Sequence, residues 1–268
     1  MTDLWKGARR DEAIARLRVA EVVTGGEKAK WAVFECDRNS RVHGSASPVW
    51  NHPKRSDLLD LSFVVCGYAA LRTGHLRIGE RIRCRGDRSK PQGHGMVSIV
   101  EALTVGCPTF FEKVASRLSY EEFRFGARLL GLDDRLPDRP AGFLERVQLY
   151  AHGRGFDVSI EDVARMARRL GCGDRGDRSM EAIRTGCVEA VRKGHAQRAG
   201  ISSISIGALQ SHPHPETGET KLVAWAPHGK AKFVACVQTL GETRADLVAH
   251  RIFDILAPPS AEGTADPT

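Results

Sequence analysis

Arginine carries most of the chemistry that this sequence advertises. Of 40 basic residues, 30 are Arg and 10 are Lys. A guanidinium fork grips phosphate oxygens and guanine edges bidentately, so an Arg surplus points to a nucleic-acid partner. Codon usage in a GC-rich genome produces the same surplus with no such partner. Arg165, Arg168 and Arg169 fall at i, i+3 and i+4 of an expected helix and so share one face. Arg77, Arg81, Arg83 and Arg85 fall largely on one side of an alternating segment that reads as a strand. Arg178, Arg184 and Arg192 would extend the basic track.

Other reactive side chains give weaker signals. Seven Cys stand at positions 36, 66, 84, 107, 172, 187 and 236, with no C-x-x-C pair. No His pair completes a zinc set, so neither a metal nor a cofactor is expected. His212, His214 and His228 form a loose trio, but Pro213 and Pro215 impose an extended turn, and no Asp or Cys completes a ligand set. The Gly-rich stretch 171–178 lacks the lysine and spacing of a phosphate-binding loop and reads as a flexible connector.

The elements that must hold these residues follow from periodicity. Strands are expected over 17–23, 31–36, 76–85 and 96–103, with a polar loop at 38–55. A mostly apolar helix is expected from a Ser56 cap to about Arg72. Helices follow over 120–132, 140–152, 160–170 and 179–193, and Ser159 with Asp162 forms a short capping box. Residues 201–257 return to β structure. The 268 residues carry a net charge of +7, with 41% hydrophobic content, enough for one large domain or two small ones. By segment the charge is +5 over 1–112, +4 over 113–200 and −2 over 201–268. No apolar run reaches membrane-spanning length and the N-terminus carries no export signal, so a cytoplasmic protein with reduced thiols is expected.

Four stretches, in this order, resemble the CRISPR repeat-RNA endonucleases of the RAMP superfamily, in particular the subtype I-F enzyme and its type IV counterpart. They are the helix 57–71, the strand Ile78-Gly79-Glu80-Arg81-Ile82-Arg83, the Arg165/Arg168/Arg169 helix, and Ile206-Gly207-Ala208-Leu209-Gln210-Ser211 followed by Thr217-Gly218. The resemblance implies an α+β fold: ferredoxin-like (RAMP) β-sheet structure with an inserted basic α-helical domain. The implied boundaries are 1–112 for the N-terminal domain, 113–200 for the helical RNA-binding insertion, 201–257 for the β region completing the core, and 258–268 for a flexible tail. It implies a precursor-RNA endonuclease that binds a repeat stem-loop, cuts at its 3′ base by metal-independent 2′-OH attack and stays with the product among effector-complex subunits. Its catalytic histidine is matched best by Tyr68, with His75 seven residues on, and Ser211 takes the place of the hairpin serine. Arg38 would stabilise charge at the phosphate. RNA contacts would come from Arg41, Arg77, Arg81, Arg83, Arg85, Arg165, Arg168, Arg169, Arg178, Arg184 and Arg192. The chain departs from that family in helices within 104–158 and a longer turn at 212–216. Two further readings stay open: a non-catalytic RNA-hairpin-binding subunit, and a DNA-binding regulator using 159–193 as a helix-turn-helix.

Overall fold

The computed structural model describes residues 8–20, 29–36, 40–44, 56–86, 92–172, 176–228, 231–241 and 243–257. Two apolar runs set its centre. Residues 220–226 (β8, Thr220–Ala226) and 233–239 (β9, Phe233–Thr239) are buried along nearly their whole length, and their polar positions, Thr220, Lys221, Gln238 and Thr239, gather at the paired end where β8 begins and β9 finishes. A strand of that kind is buried on both sides. β9 pairs antiparallel with β8 and with β1 (Ala29–Glu35). β7 (Gly207–Gln210) and β2 (Ser40–Gly44) take the edges, so the sheet order is β2-β1-β9-β8-β7.

Alternation sends the side chains of this sheet into two separate cores. Trp31, Val33, Leu222, Ala224, Phe233, Ala235 and Val237 face one, with α1 (Ala8–Ala20) and α9 (Ala245–Leu256). Val223, Trp225, Val234 and Cys236 face the other, beneath α7 (Ile160–Cys172). That side continues into a helical body of α2 (Ser62–Thr73), α3 (Ile99–Val105), α4 (Pro108–Ala115), α5 (Tyr120–Leu129), α6 (Phe143–His152) and α8 (Arg178–Lys193). Two short ribbons complete the fold. β3 (Ser56–Asp57) pairs with β6 (Asp157–Val158), and β4 (Ile82–Cys84) pairs with β5 (Gly95–Val97).

This architecture replaces the expected ferredoxin-like sheet with an inserted helical domain. One five-stranded antiparallel sheet is assembled from both chain ends and sandwiched between helical layers. Several local expectations change with it. Residues expected to begin a strand at 17 belong to α1, because Ala13 and Leu17 lie one helical turn apart and are both buried. The expected strand over 96–103 is β5 followed by α3. Ser98 and Glu101 form a complete capping box there, and a helix starts where the box directs. Ser56 joins β3 instead of capping a helix. α9 stands in a stretch read as β. The tail 258–268 and Arg38 lie outside the described residues.

α2 is the buried axis of the helical body, with residues 62–70 all inside. Its packing is close because small residues meet there. A Cβ on Gly126 of α5 would sit 2.6 Å from Ala69 Cβ and 2.9 Å from Ala69 Cα. Neither neighbour is a flexible side-chain end, so the helices must part. Gly126→Ala is expected to cost about 1–3 kcal/mol by overpacking, read as a drop of about 2–4 °C in Tm per kcal/mol. An unchanged Tm in a thermal melt would show that α2 and α5 do not approach this closely.

Candidate functional site

The feature richest in reactive groups is a chain of four side chains: Glu112, His152, Asp60 and His212. Asp60 lies in a 3-10 turn (Leu59–Leu61) that leads into α2, inside the apolar run 58–65. It is 7% exposed. An ionised carboxylate is stable in such a place only if it is paired and hydrogen-bonded. The backbone prepares it. Leu59 adopts φ 54, a left-handed conformation uncommon for a leucine. Gly153, just past α6, packs onto that turn so closely that a Cβ would meet Leu59 O at 2.5 Å. This contact seats His152, the last residue of α6, beside Asp60.

The distances describe a continuous relay. His152 Nε2 lies 3.0 Å from Glu112 Oε1, and its Nδ1 lies 3.4 Å from Asp60 Oδ1. His212 Nδ1 lies 2.7 Å from Asp60 Oδ2, and the His212 amide donates to the same oxygen at 2.9 Å. Burial disfavours the Asp60 charge, but the hydrogen bonds from His152 and His212 outweigh it and bring the carboxyl down to about 2. Burial likewise opposes charge on His152, and the two carboxylates outweigh it, raising the imidazole to about 9. The network therefore holds an anionic Asp60 against a cationic His152 near neutral pH. A carboxylate holding an imidazole by its Nδ1 is how an acid–base histidine is oriented. The neighbouring hydroxyls are engaged elsewhere: Ser62 Oγ donates to Ala151 O at 2.7 Å, and Ser211 Oγ accepts from the Lys221 amide at 2.9 Å.

Two more buried groups border this region. His195 sits between α3 and β7, with Nδ1 2.9 Å from Thr104 O and Nε2 3.3 Å from the Gln210 amide nitrogen. Burial keeps it neutral by lowering its pKa. Its Nδ1–H then donates to Thr104 while Nε2 accepts from Gln210, which pins the edge strand. The Lys221 ammonium is buried, donates to Ser56 Oγ at 2.9 Å and to Asp57 O, and lies 3.6 Å from Glu219. It borders a cavity of about 30 Å³ that Ser56, Leu61, Val158 and Ser159 also line.

The residues proposed from the sequence are dispersed. Tyr68 donates its hydroxyl to Asp177 Oδ2 at 2.7 Å; burial, reinforced by that carboxylate, raises it to about 12. Arg72 reaches the same oxygen at 3.1 Å. Asp177 also caps α8, so Tyr68 ties α2 to that helix start. His75 pairs with Glu122 at 2.6 Å. Ser211 belongs to β-ladder bonding with Lys221. These three share no hydrogen-bond partner.

The arginines are equally divided. Arg165 and Arg169 turn to backbone carbonyls at the C-terminus of α5: Arg165 to Gly131 at 3.0 Å, Arg169 to Leu129 at 2.6 Å and Arg128 at 3.2 Å. Arg168 lines a cleft of about 180 Å³ with Glu35, Glu161 and Arg165. Arg184 is buried and donates to Leu170 O at 2.5 Å, at the end of α7. Arg192 pairs with Glu189 at 2.7 Å. Arg81 binds Met96 O and Glu101 at 2.7 and 2.9 Å. Arg77, Arg83, Arg85 and Arg178 are exposed, the Arg41 side chain lies outside the described residues, and the 173–175 part of the connector does too. Sequence reasoning missed Asp60, His152 and Glu112. The signal for Asp60 was present: a lone acid among Leu58, Leu59, Leu61 and Phe63.

The relay has a pH signature. Both states hold the His152 proton below pH 6.5, where its stabilisation is complete; as pH rises from 6.5 through about 9 the folded protein gives that proton up and the stabilisation is lost. At the acid end, the Asp60 contribution is present above 3.8 and is lost as pH falls towards about 2. The His152 shift corresponds to about 3 kcal/mol. His152→Gln is therefore expected to lower Tm most near pH 5–6, with the gap to wild type closing by pH 9. A gap of constant size across that range, measured by thermal melts, would show that His152 is not held charged.

No protein-family model matches the chain, and no curated protein matches it. Solved structures do. The D,D-transpeptidase domain of a peptidoglycan glycosyltransferase from Eggerthella lenta aligns at TM-score 0.72 and 10% identity, over 90% of this chain and 80% of its own. Pseudomonas aeruginosa penicillin-binding protein PBP2 aligns at TM-score 0.75 and 14% identity, over 90% and 75%. Helicobacter pylori PBP2, solved in complex with MreC, aligns at TM-score 0.72 and 11% identity, over 91% and 61%. The fold is thus that of penicillin-binding protein transpeptidase domains and not of RAMP proteins, which overturns the resemblance to CRISPR repeat-RNA endonucleases. The expectations of RNA cleavage, RNA-hairpin binding and crRNA and effector-subunit partners fall with it, since each rested on that fold. The DNA-binding alternative, read from the spacing of 159–193, finds no support in these neighbours.

Proposed function

We propose that this chain is a non-acylating domain of the transpeptidase fold, one that binds peptidoglycan without forming an acyl-enzyme. The fold supports the cell-wall setting. The chemistry supports the absence of acylation. Penicillin-binding proteins and class A β-lactamases acylate a serine in S-x-x-K, assisted by S-D-N and K-T-G elements. None of the 16 serines in these 268 residues is followed three positions later by Lys. Neither Asn39 nor Asn51 follows a serine by two positions, and no Lys is followed by Thr. At the start of α2, Ser62 has Val65, not Lys, three positions later and is fully buried, its hydroxyl spent on Ala151 O.

The observation that carries this reading is Asp60. Beside the end of β7, at the entry to α2, the chain presents a fixed carboxylate clasped by two histidines. A carboxylate held ionised at about 2 is a weak nucleophile and a weak base. Its hydrogen bonds suit it to hold a polar group in place.

Two measurements test the proposal. Incubation with a fluorescent penicillin followed by intact-mass analysis is expected to leave the chain unmodified; a stoichiometric penicilloyl adduct would overturn the non-acylating assignment. Co-sedimentation with purified peptidoglycan sacculi is expected to pellet the folded chain, and a supernatant-only distribution would remove the wall-binding part.

A further inference from the structure

Outside the Asp60 relay, a second group of reactive side chains converges among the described residues. Cys84 ends β4, His94 lies on the return of the same hairpin, and Cys107 occupies the N-cap position of α4. Their ligand atoms, two thiol sulfurs and an imidazole nitrogen, all lie within 4.8 Å of one another. Cys84 Sγ is 3.5 Å from His94 Nδ1. Zn–S bonds of about 2.3 Å and Zn–N bonds of about 2.0–2.1 Å at a tetrahedral angle put S and N about 3.6 Å apart. The observed separation, also that of a thiol–imidazole hydrogen bond in the metal-free state, matches two ligands on one ion.

We infer that Cys84, His94 and Cys107 form a zinc site that clamps the β4–β5 hairpin to the start of α4, with the fourth position taken by water or an external donor. Two thiolates and an imidazole select a soft or borderline ion such as Zn²⁺ over Mg²⁺ or Ca²⁺.

The surroundings are built to bring the three ligands together. The hairpin has two strands of three residues each, and Arg83, Arg85 and Met96 on it are exposed. So short a ribbon has little apolar area of its own to hold it. Gly93, at φ +73, approaches the Cys84 strand so tightly that a Cβ would meet Cys84 O at 2.5 Å and Gly86 N at 2.6 Å. Only glycine permits that approach, and the approach carries His94 to Cys84. From the other side, Thr109 Oγ1 donates to Gly86 O at 3.4 Å and Lys113 Nζ to Arg83 O at 2.5 Å. α4 is thereby tied to the strand on both sides of Cys84. Outer contacts of this kind orient metal ligands. Cys84 and Cys107 are buried, and His94 is half-buried.

The sequence hides the set because its spacing, ten residues and then thirteen, matches no short zinc motif. Only the fold of the hairpin onto α4 assembles it.

The test uses the full chain purified without chelator. Elemental analysis is expected to find about one zinc per chain, and Co²⁺ replacement to give thiolate-to-cobalt charge-transfer absorption with tetrahedral visible bands. Cys84→Ser, Cys107→Ser and His94→Ala should each bring bound zinc to background, while Cys172→Ser, at an exposed cysteine elsewhere, should keep it. Where a ligand variant does not fold, Co²⁺ titration of the metal-stripped wild type decides alone. Absence of zinc together with featureless cobalt spectra, a Cys84–Cys107 disulfide under non-reducing mass spectrometry, or full zinc retention in the ligand variants would each overturn the site.

Discussion

The structure rests on a sheet that neither end of the chain can build alone. β9, near the C-terminus, lies between β1 and β8, so the first strand finds its inner partner only after the helical body has been traversed. Closing a loop of that length costs entropy that must be offset by what the closed sheet buries. The sheet meets that demand by burying an apolar stretch on both faces of its central strands, which in turn requires a helical layer on each. α1 and α9, again from opposite chain ends, supply one layer. α7 and the helices stacked on it supply the other. Trp31 and Trp225, each essentially buried, anchor opposite faces of the same sheet.

The joint between sheet and helical body is where polar groups concentrate. Asp60 precedes α2, His152 ends α6, Glu112 belongs to α4, and His212 follows β7. A buried ionic cluster seldom adds more stability than well-packed apolar side chains of the same volume, because desolvation absorbs most of the attraction. It does penalise misplacement. Shifting the elements that carry His152 or Asp60 weakens the pairing of the buried Asp60 carboxylate. The left-handed Leu59 and the missing side chain of Gly153 are costs accepted at the same joint, and they bring His152 and Asp60 within reach. Geometric definition, more than net stability, is what this relay contributes.

How much of this was legible depended on whether a signal was local. The Ser159–Asp162 box was read and is present, with Ser159 donating to Asp162 at 2.9 Å and the Asp162 amide returning at 3.2 Å. The helices 120–132, 160–170 and 179–193 stand within a few residues of their expected bounds. α9 departs from the β structure expected over 201–257, although Ala245, Val248, Ala249, Ile252, Phe253 and Leu256 repeat at helical spacing and are all buried. The box at Ser98 and Glu101 was equally visible. The relay and the Cys84–His94–Cys107 group were of another kind. Their bonded members lie from 10 to 152 residues apart and meet only through tertiary structure.

The arginines show why composition misdirected the functional reading. A shared helix face at 165, 168 and 169 is real. Its neighbour, however, is the C-terminus of α5, whose last carbonyls lack intrahelical donors. Arg169 supplies such a donor to Leu129 O, Arg165 reaches Gly131 O two residues beyond that end, and Arg184 donates to Leu170 O in the last turn of α7. A guanidinium near a helix C-terminus is favoured both by hydrogen bonding and by the helix dipole. In a body of short, densely packed helices such ends are numerous, and each is a place where Arg is useful with no ligand at all. The basic excess in residues 113–200 is therefore partly an answer to backbone geometry. Counting charge along the chain cannot separate that use from phosphate recognition, since both select the same planar, multiply donating side chain. What separates them is the partner, and here the partner is the protein's own main chain.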